Sequence, residues 1–163
     1  MTSDISFVVI TLYADRLLSK TIASINGEAY ASDEIIIVKP RNVDISSSLL
    51  MSIASRKYRV VSDNGDGIYQ AQNIGIESAG SHWLCLVNSG DLLVNGARAH
   101  FESAIRSKSD VKVHCFAQEV VETSGRYAYT SFALPRRFLP HQSIVYLREL
   151  HYSFGLYDTD YKY

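Results

Sequence analysis

Asp91 closes the loop Asn88-Ser89-Gly90-Asp91, which follows directly on the apolar run Trp83-Leu84-Cys85-Leu86-Val87. A carboxylate at the end of a buried strand stands where an open α/β sheet binds its ligands. One carboxylate is enough to help hold a divalent ion whose remaining ligands are phosphate oxygens and water. Asn, Ser, Gly and Asp are also the residues that make tight turns, and spacing alone does not choose between the two roles.

A second group surrounds Gly67, at the start of Ile68-Tyr69-Gln70-Ala71-Gln72-Asn73-Ile74-Gly75-Ile76. A helix that opens on glycine lets an anionic ligand approach its backbone N–H groups. Asp63, Asn64 and Asp66 precede it, and the expectation is that at least one of them caps the helix. Asn73 is a polar residue on a packed helix, and its expected role is to tie neighbouring loops together through the backbone. His141 offers a ligand, an acid-base group or a phosphate contact, although a lone histidine beside a strand is more often structural. His82, His100, His114 and His151 show no spacing that converges with it. Walker-type glycine loops, GxSxG elbows and HExxH helices are absent from the sequence.

These residues need strands and helices to position them. Ile5–Ile10, Glu34–Val38, Tyr58–Val61 and Trp83–Val87 read as strands, the first two nearly continuous in β-formers as strands covered on both faces are. Between them Leu17, Leu18, Thr21, Ile22 and Ile25, then Leu49, Leu50 and Ile53, then Ile68, Ala71, Gly75, Ile76 and Ala79 recur at helical spacing. Asn26-Gly27 and Gly80 are the expected helix stops. Four βα alternations imply a three-layer, mostly parallel, doubly wound α/β sheet. A helix through Ala97, Phe101 and Ile105 then leads to a strand over Val111–Phe116. A hairpin around Ser124-Gly125 and a loop framed by Pro135 and Pro140 precede His141.

The 163 residues fit one domain, and 47% hydrophobic with 20% charged residues describes a globular chain. Sixteen Lys and Arg against seventeen Asp and Glu give a net charge of -1, which provides no field for nucleic acid. Arg136-Arg137 is too short for a polybasic arm. Cys85 and Cys115, both inside apolar segments, read as free thiols acting as small hydrophobes. No run approaches the ~20 apolar residues of a membrane span and no signal peptide is evident, so a reducing, cytoplasmic setting is the expectation.

Taken in order, the Ser-Phe-Val-Val-Ile-Thr strand, Glu-Ile-Ile-Ile-Val, Asp66-Gly67-Ile68-Tyr69 with Asn73 and Gly75, Asn88-Ser89-Gly90-Asp91 and His141-Gln142-Ser143 resemble the bacterial family-2 glycosyltransferases of the type A fold, in the capsule, exopolysaccharide and O-antigen branch. The likeness runs from about Ile5 to Tyr163. It implies a donor-binding part over about 1–117 and the start of an acceptor-side part over about 118–163. It also implies Mn²⁺ or Mg²⁺ held by Asp91 against a nucleotide-diphosphate sugar, with a UDP-sugar favoured. Thr11, Leu12, Tyr13, Asp63, Gly67, Asn73, Ser89 and Gly90 match donor-side positions, and His141 and Gln142 match a motif on the acceptor side.

The implied reaction is inverting transfer to a saccharide hydroxyl, on an acceptor that is lipid-linked if the product is surface polysaccharide. That would bring the protein to the inner membrane face. Many relatives carry a uracil-reading Asp where this chain has Lys39, and an acidic residue at Gly90. Asp158 and Asp160 match the lead-in to the family's general base, which is expected beyond Tyr163. Two further readings stand beside transfer: a non-catalytic nucleotide-sugar-binding or assembly subunit, and a nucleotidyltransferase, against which the lack of a glycine-rich basic loop after Thr11 argues. Apolar surface left uncovered by a shortened C-terminal part implies a homodimer.

Overall fold

A computed structural model describes residues 3–121, 127–131 and 141–161. Strands β1 (Ile5–Ile10), β2 (Glu34–Pro40), β3 (Lys57–Asp63) and β4 (Trp83–Asn88) alternate with helices α1 (Arg16–Glu28), α2 (Ser47–Ser52) and α3 (Ile68–Ser78). Helix α4 (Ala97–Ser107), strands β5 (Val113–Cys115), β6 (Gln118–Val121) and β7 (Tyr127–Ser131), a 3₁₀ turn at His141–Ser143, β8 (Ile144–Leu147) and α5 (Leu150–Phe154) follow.

The main sheet has the order β3-β2-β1-β4-β8-β5. Its first four strands are parallel, and β8 is antiparallel to both its neighbours. The expected three-layer, mostly parallel doubly wound α/β sheet is the fold observed. Because side chains alternate across a strand, β1 feeds two cores. Phe7 and Val9 pack with Leu18, Ile22 and Ile25 of α1 and with Phe101 and Ile105 of α4, while Val8 and Ile10 pack with Ala71 and Ile76 of α3. Gly75 lets α3 lie directly on the sheet, because a Cβ there would collide with Val8 and crowd Val38.

Sequence and structure differ at several boundaries. Helix α1 continues through Asn26-Gly27 to Glu28. Arg56 holds that turn from outside, donating from Nε to Asn26 Oδ1 and from Nη2 to the Asn26 carbonyl. Gly80 does not end α3, which stops at Ser78 with Ala79 as its cap, and the Gly80 N–H goes instead to the Glu34 carboxylate. The strand expected over Val111–Phe116 shortens to three residues at the sheet edge, where Cys115 is exposed rather than packed as a hydrophobe. Residues 144–147 insert between β4 and β5 in the main sheet. Strands β6 and β7 pair antiparallel as a hairpin would, with Ser124-Gly125 outside the described residues. Arg136-Arg137, Pro135 and Pro140 also lie outside them.

Candidate functional site

Strand order reverses at β1 and β4, because α1 carries the chain from β1 to β2 on one side and α3 carries it from β3 to β4 on the other. Such a switch point opens a crevice at the carboxyl ends of the strands. Ile10 and Asn88 are register partners there, and the Ser89 N–H donates to the Ile10 carbonyl at 2.8 Å. The loops after the two strands therefore leave the sheet side by side.

Thr11 is buried and shapes the first loop. Its N–H donates to the Val38 carbonyl at 3.0 Å, while its hydroxyl accepts from the Tyr13 N–H and donates to the Tyr13 carbonyl. That closed ring of bonds turns Leu12 and Tyr13 outward, 65% and 69% exposed. The second loop is pinned to α1 by bonds from Gly90 N–H to Thr21 Oγ1 at 2.9 Å and from Leu93 N–H to Ser24 Oγ at 3.1 Å. Gly90 adopts φ +107°, a conformation open to glycine and strained for other residues.

Asn88–Asp91 does form a turn, and the turn holds the carboxylate. The Asp91 N–H donates to the Asn88 carbonyl at 3.0 Å, and Asp91 Oδ2 accepts the Asn88 N–H at 3.3 Å. From 53 positions further along the chain, His141 Nε2 comes to 3.2 Å from Asn88 Nδ2. A neutral imidazole accepts the amide proton in that bond. Gln142 hydrogen-bonds the Asp91 carboxylate through its side chain. Burial raises the Asp91 pKa, against the opposing pull of the Asn88 N–H, the His141 charge and Gln142. Burial likewise lowers that of His141, against the attraction of Asp91. Asn88, Asp91, His141 and Gln142 thus form one polar cluster, whereas the resemblance puts Asp91 with the donor diphosphate and His141 and Gln142 on the acceptor side. In the sequence Asn88 stands only as part of the loop, with no role of its own, its signal being an amide at the end of an apolar strand.

The remaining expected residues lie at the ends of β2 and β3 and on α3. Asp63, buried at the end of β3, accepts the Gly65 N–H at 2.7 Å. It tightens the loop rather than capping α3. The expected side-chain cap from Asp63, Asn64 or Asp66 is not there, since the N-cap is Gly67, φ +108°, with no side-chain hydrogen bond. Gly65 and Gly67, on either side of Asp66, both take positive φ. The α3 N-terminus therefore faces the carboxyl edge of the sheet with backbone donors alone. Lys39 Nζ lies at the end of β2, 3.3 Å from both Ser62 Oγ and the Pro40 carbonyl. Asn73 lies deeper on α3 and spends both ends of its amide on Tyr157: Nδ2 donates to the Tyr157 carbonyl at 2.8 Å, and Oδ1 accepts the Tyr157 N–H at 2.9 Å.

Among the described residues no group of three or more His, Cys, Asp and Glu side chains gathers to hold an ion. A half-buried carboxylate whose pKa is raised by desolvation is the kind of single protein ligand with which Mg²⁺ is usually shared between protein and substrate. A cavity of about 340 Å³ is walled by Ile76, Glu77, Arg148, His151, Tyr152 and Leu156, toward the C-terminal end of α3.

Fold and geometry together define a doubly wound α/β domain with a polar side-chain cluster at its switch point. No family model and no curated protein matches the sequence. Solved structures do match the fold. S. aureus TarS 1-349 superposes with a TM-score of 0.77 at 14% identity over 98% of this chain and 52% of that one. The same protein in complex with UDP-GlcNAc gives 0.73 at 13% identity over 92% and 47%. The bifunctional IspDF of Campylobacter jejuni gives 0.55 at 11% identity over 98% and 45%. The chain spans about half the length of these structures, and at such identities the likeness is one of fold.

Proposed function

We propose that this chain binds a nucleotide-diphosphate sugar in the switch-point crevice and forms the donor-side part of a glycosyltransferase. The observation that carries the reading is the Asn88–Asp91–His141–Gln142 cluster at the carboxyl edge of β1 and β4, the same edge of the sheet at which α3 begins with no side-chain cap. A diphosphate suits both features: backbone N–H groups and the positive end of the helix favour its oxygens, and Asp91 offers the one carboxylate that a bridging cation needs. The shared fold adds support, since S. aureus TarS has been solved with UDP-GlcNAc and with UDP.

In this reading Asp91 holds Mn²⁺ or Mg²⁺, an ion that supplies Lewis-acid neutralisation of the departing diphosphate. Thr11 shapes the loop that faces the nucleotide, leaving Tyr13 exposed for contact with it. Ser89 and Gly90 set the height of the carboxylate, and Asn88 with His141 fixes its bearing. Sugar transfer proceeds with inversion onto an acceptor hydroxyl in surface polysaccharide synthesis.

Calorimetric titration of the chain with UDP-GlcNAc and UDP, with and without Mn²⁺, tests the reading. Mn²⁺-dependent binding of both supports it, and absence of binding at millimolar ligand removes it. Binding without release of UDP in the presence of saccharide acceptors would make the chain a nucleotide-sugar-binding subunit instead.

A further inference from the structure

The path of the chain after α5 places a second set of residues at the crevice. Gly155, φ +86°, ends α5, donating its N–H to the His151 carbonyl at 3.1 Å and facing His151 Nδ1 with its own carbonyl at 3.0 Å. His151 Nε2 lies 3.1 Å from the Tyr146 hydroxyl, and its ring stands edge-on to Tyr157, with centroids 5.7 Å apart. His151 and Leu156 share a cavity wall with Ile76 and Glu77, near the C-terminal end of α3. Tyr157, by contrast, is bonded to Asn73 and has its ring 5.7 Å from that of Tyr69, in the first turn. The segment therefore climbs α3 from its far end toward the N-terminus that opens on the crevice.

We infer that Asn73 is a positioning residue, which seats residues 155–161 along α3 as a wall of the nucleotide-sugar crevice. The inference rests on the function proposed above. Asn73 is 6% exposed, and its amide reproduces the paired donor and acceptor of a neighbouring β-strand, 84 positions away in sequence. A buried amide with both ends bonded is costly to unpair, so the segment is fixed as long as the amide is present. What the wall brings to the crevice end is the Tyr69–Tyr157 ring pair and the turn beyond it, in which Asp158 Oδ1 accepts the Asp160 N–H at 2.9 Å.

The experiment combines hydrogen exchange across 155–161 with UDP-GlcNAc titration in Mn²⁺, for the wild type, Asn73→Ala and Asn73→Asp. In the wild type the Tyr157 N–H is protected, and ligand increases that protection. Asn73→Ala loses it locally while the β1 and β4 amides keep theirs, and UDP-GlcNAc affinity falls about tenfold, the scale of one or two net hydrogen bonds. Asn73→Asp keeps the acceptor for the Tyr157 N–H and recovers part of both, and it decides the matter if the alanine variant does not fold. Unchanged protection or unchanged affinity in the variants, with a wild type that binds, overturns the role of Asn73 alone. A wild type that binds no UDP-GlcNAc overturns the function on which it rests.

Discussion

In the proposed function Asp91 holds the ion, and its neighbours set how much of its charge is left to compensate. Desolvation makes its charge dear, while the Asn88 N–H, His141 and Gln142 compensate it only in part. A divalent cation held by Asp91, as proposed, would supply the remaining compensation. Asp91→Asn keeps the shape of the turn, including an acceptor for the Asn88 N–H, and removes the charge. Its expected effect is a loss of Mn²⁺-stimulated UDP-GlcNAc binding of about ten- to a hundredfold, with Mn²⁺-independent binding little changed, as calorimetry with and without the ion would measure. An equal loss in both conditions would assign Asp91 to the turn alone.

At the scale of elements, the helices are held by devices that lie far apart in sequence. Gly75 sets the approach of α3 to Val8 and Val38. Asp15 caps α1, accepting from the N–H groups of Leu17 and Leu18 at 2.9 and 3.1 Å. Gly75→Ala forces an added methyl into a packed helix–sheet seam and should cost about 1–3 kcal/mol, read as a lower urea midpoint at unchanged slope. Glu34, buried at the start of β2, joins three elements by accepting from Ser6 Oγ at 2.6 Å and from the N–H groups of Gly80 and Ser81. Burial alone would raise its pKa, but these donors, with the charge of Arg59, hold it below the ordinary glutamate value of 4.5. A carboxylate depressed on folding contributes stability that is complete above the unfolded value and drains away as pH falls through the folded one. Thermal unfolding followed from pH 6 downward should accordingly show a flatter acid limb for Glu34→Gln than for the wild type, from a lower starting Tm.

For the whole molecule, the carboxyl edge of the sheet carries the crevice and the amino edge carries the anchor. There Arg98 of α4 meets Asp33 through Nε at 2.7 Å and Nη2 at 3.0 Å, with both side chains buried. Asp33 also accepts the N–H groups of Ile5 and Tyr30, and the Arg98 guanidinium lies 4.2 Å from the centre of the Tyr30 ring. Asp33→Ala strands a buried guanidinium, and about 3–5 kcal/mol of stability should go with it, measured by denaturant unfolding. A shift under 1 kcal/mol would mean that solvent reaches the pair.

Among the described residues no helix is long and apolar enough to cross a membrane. The four parallel strands, their order in the chain and the loops that bear Thr11, Gly67 and Asp91 were legible from the residues, because each rests on local periodicity and on βα units that close in one handedness. The Asn88–His141 contact, the grip of Asn73 on the Tyr157 backbone and the Asp33–Arg98 pair were not, for each joins residues 53 to 84 positions apart. Nothing local records such a partner: β8 slips between β4 and β5, and only that insertion brings His141 to the end of β4.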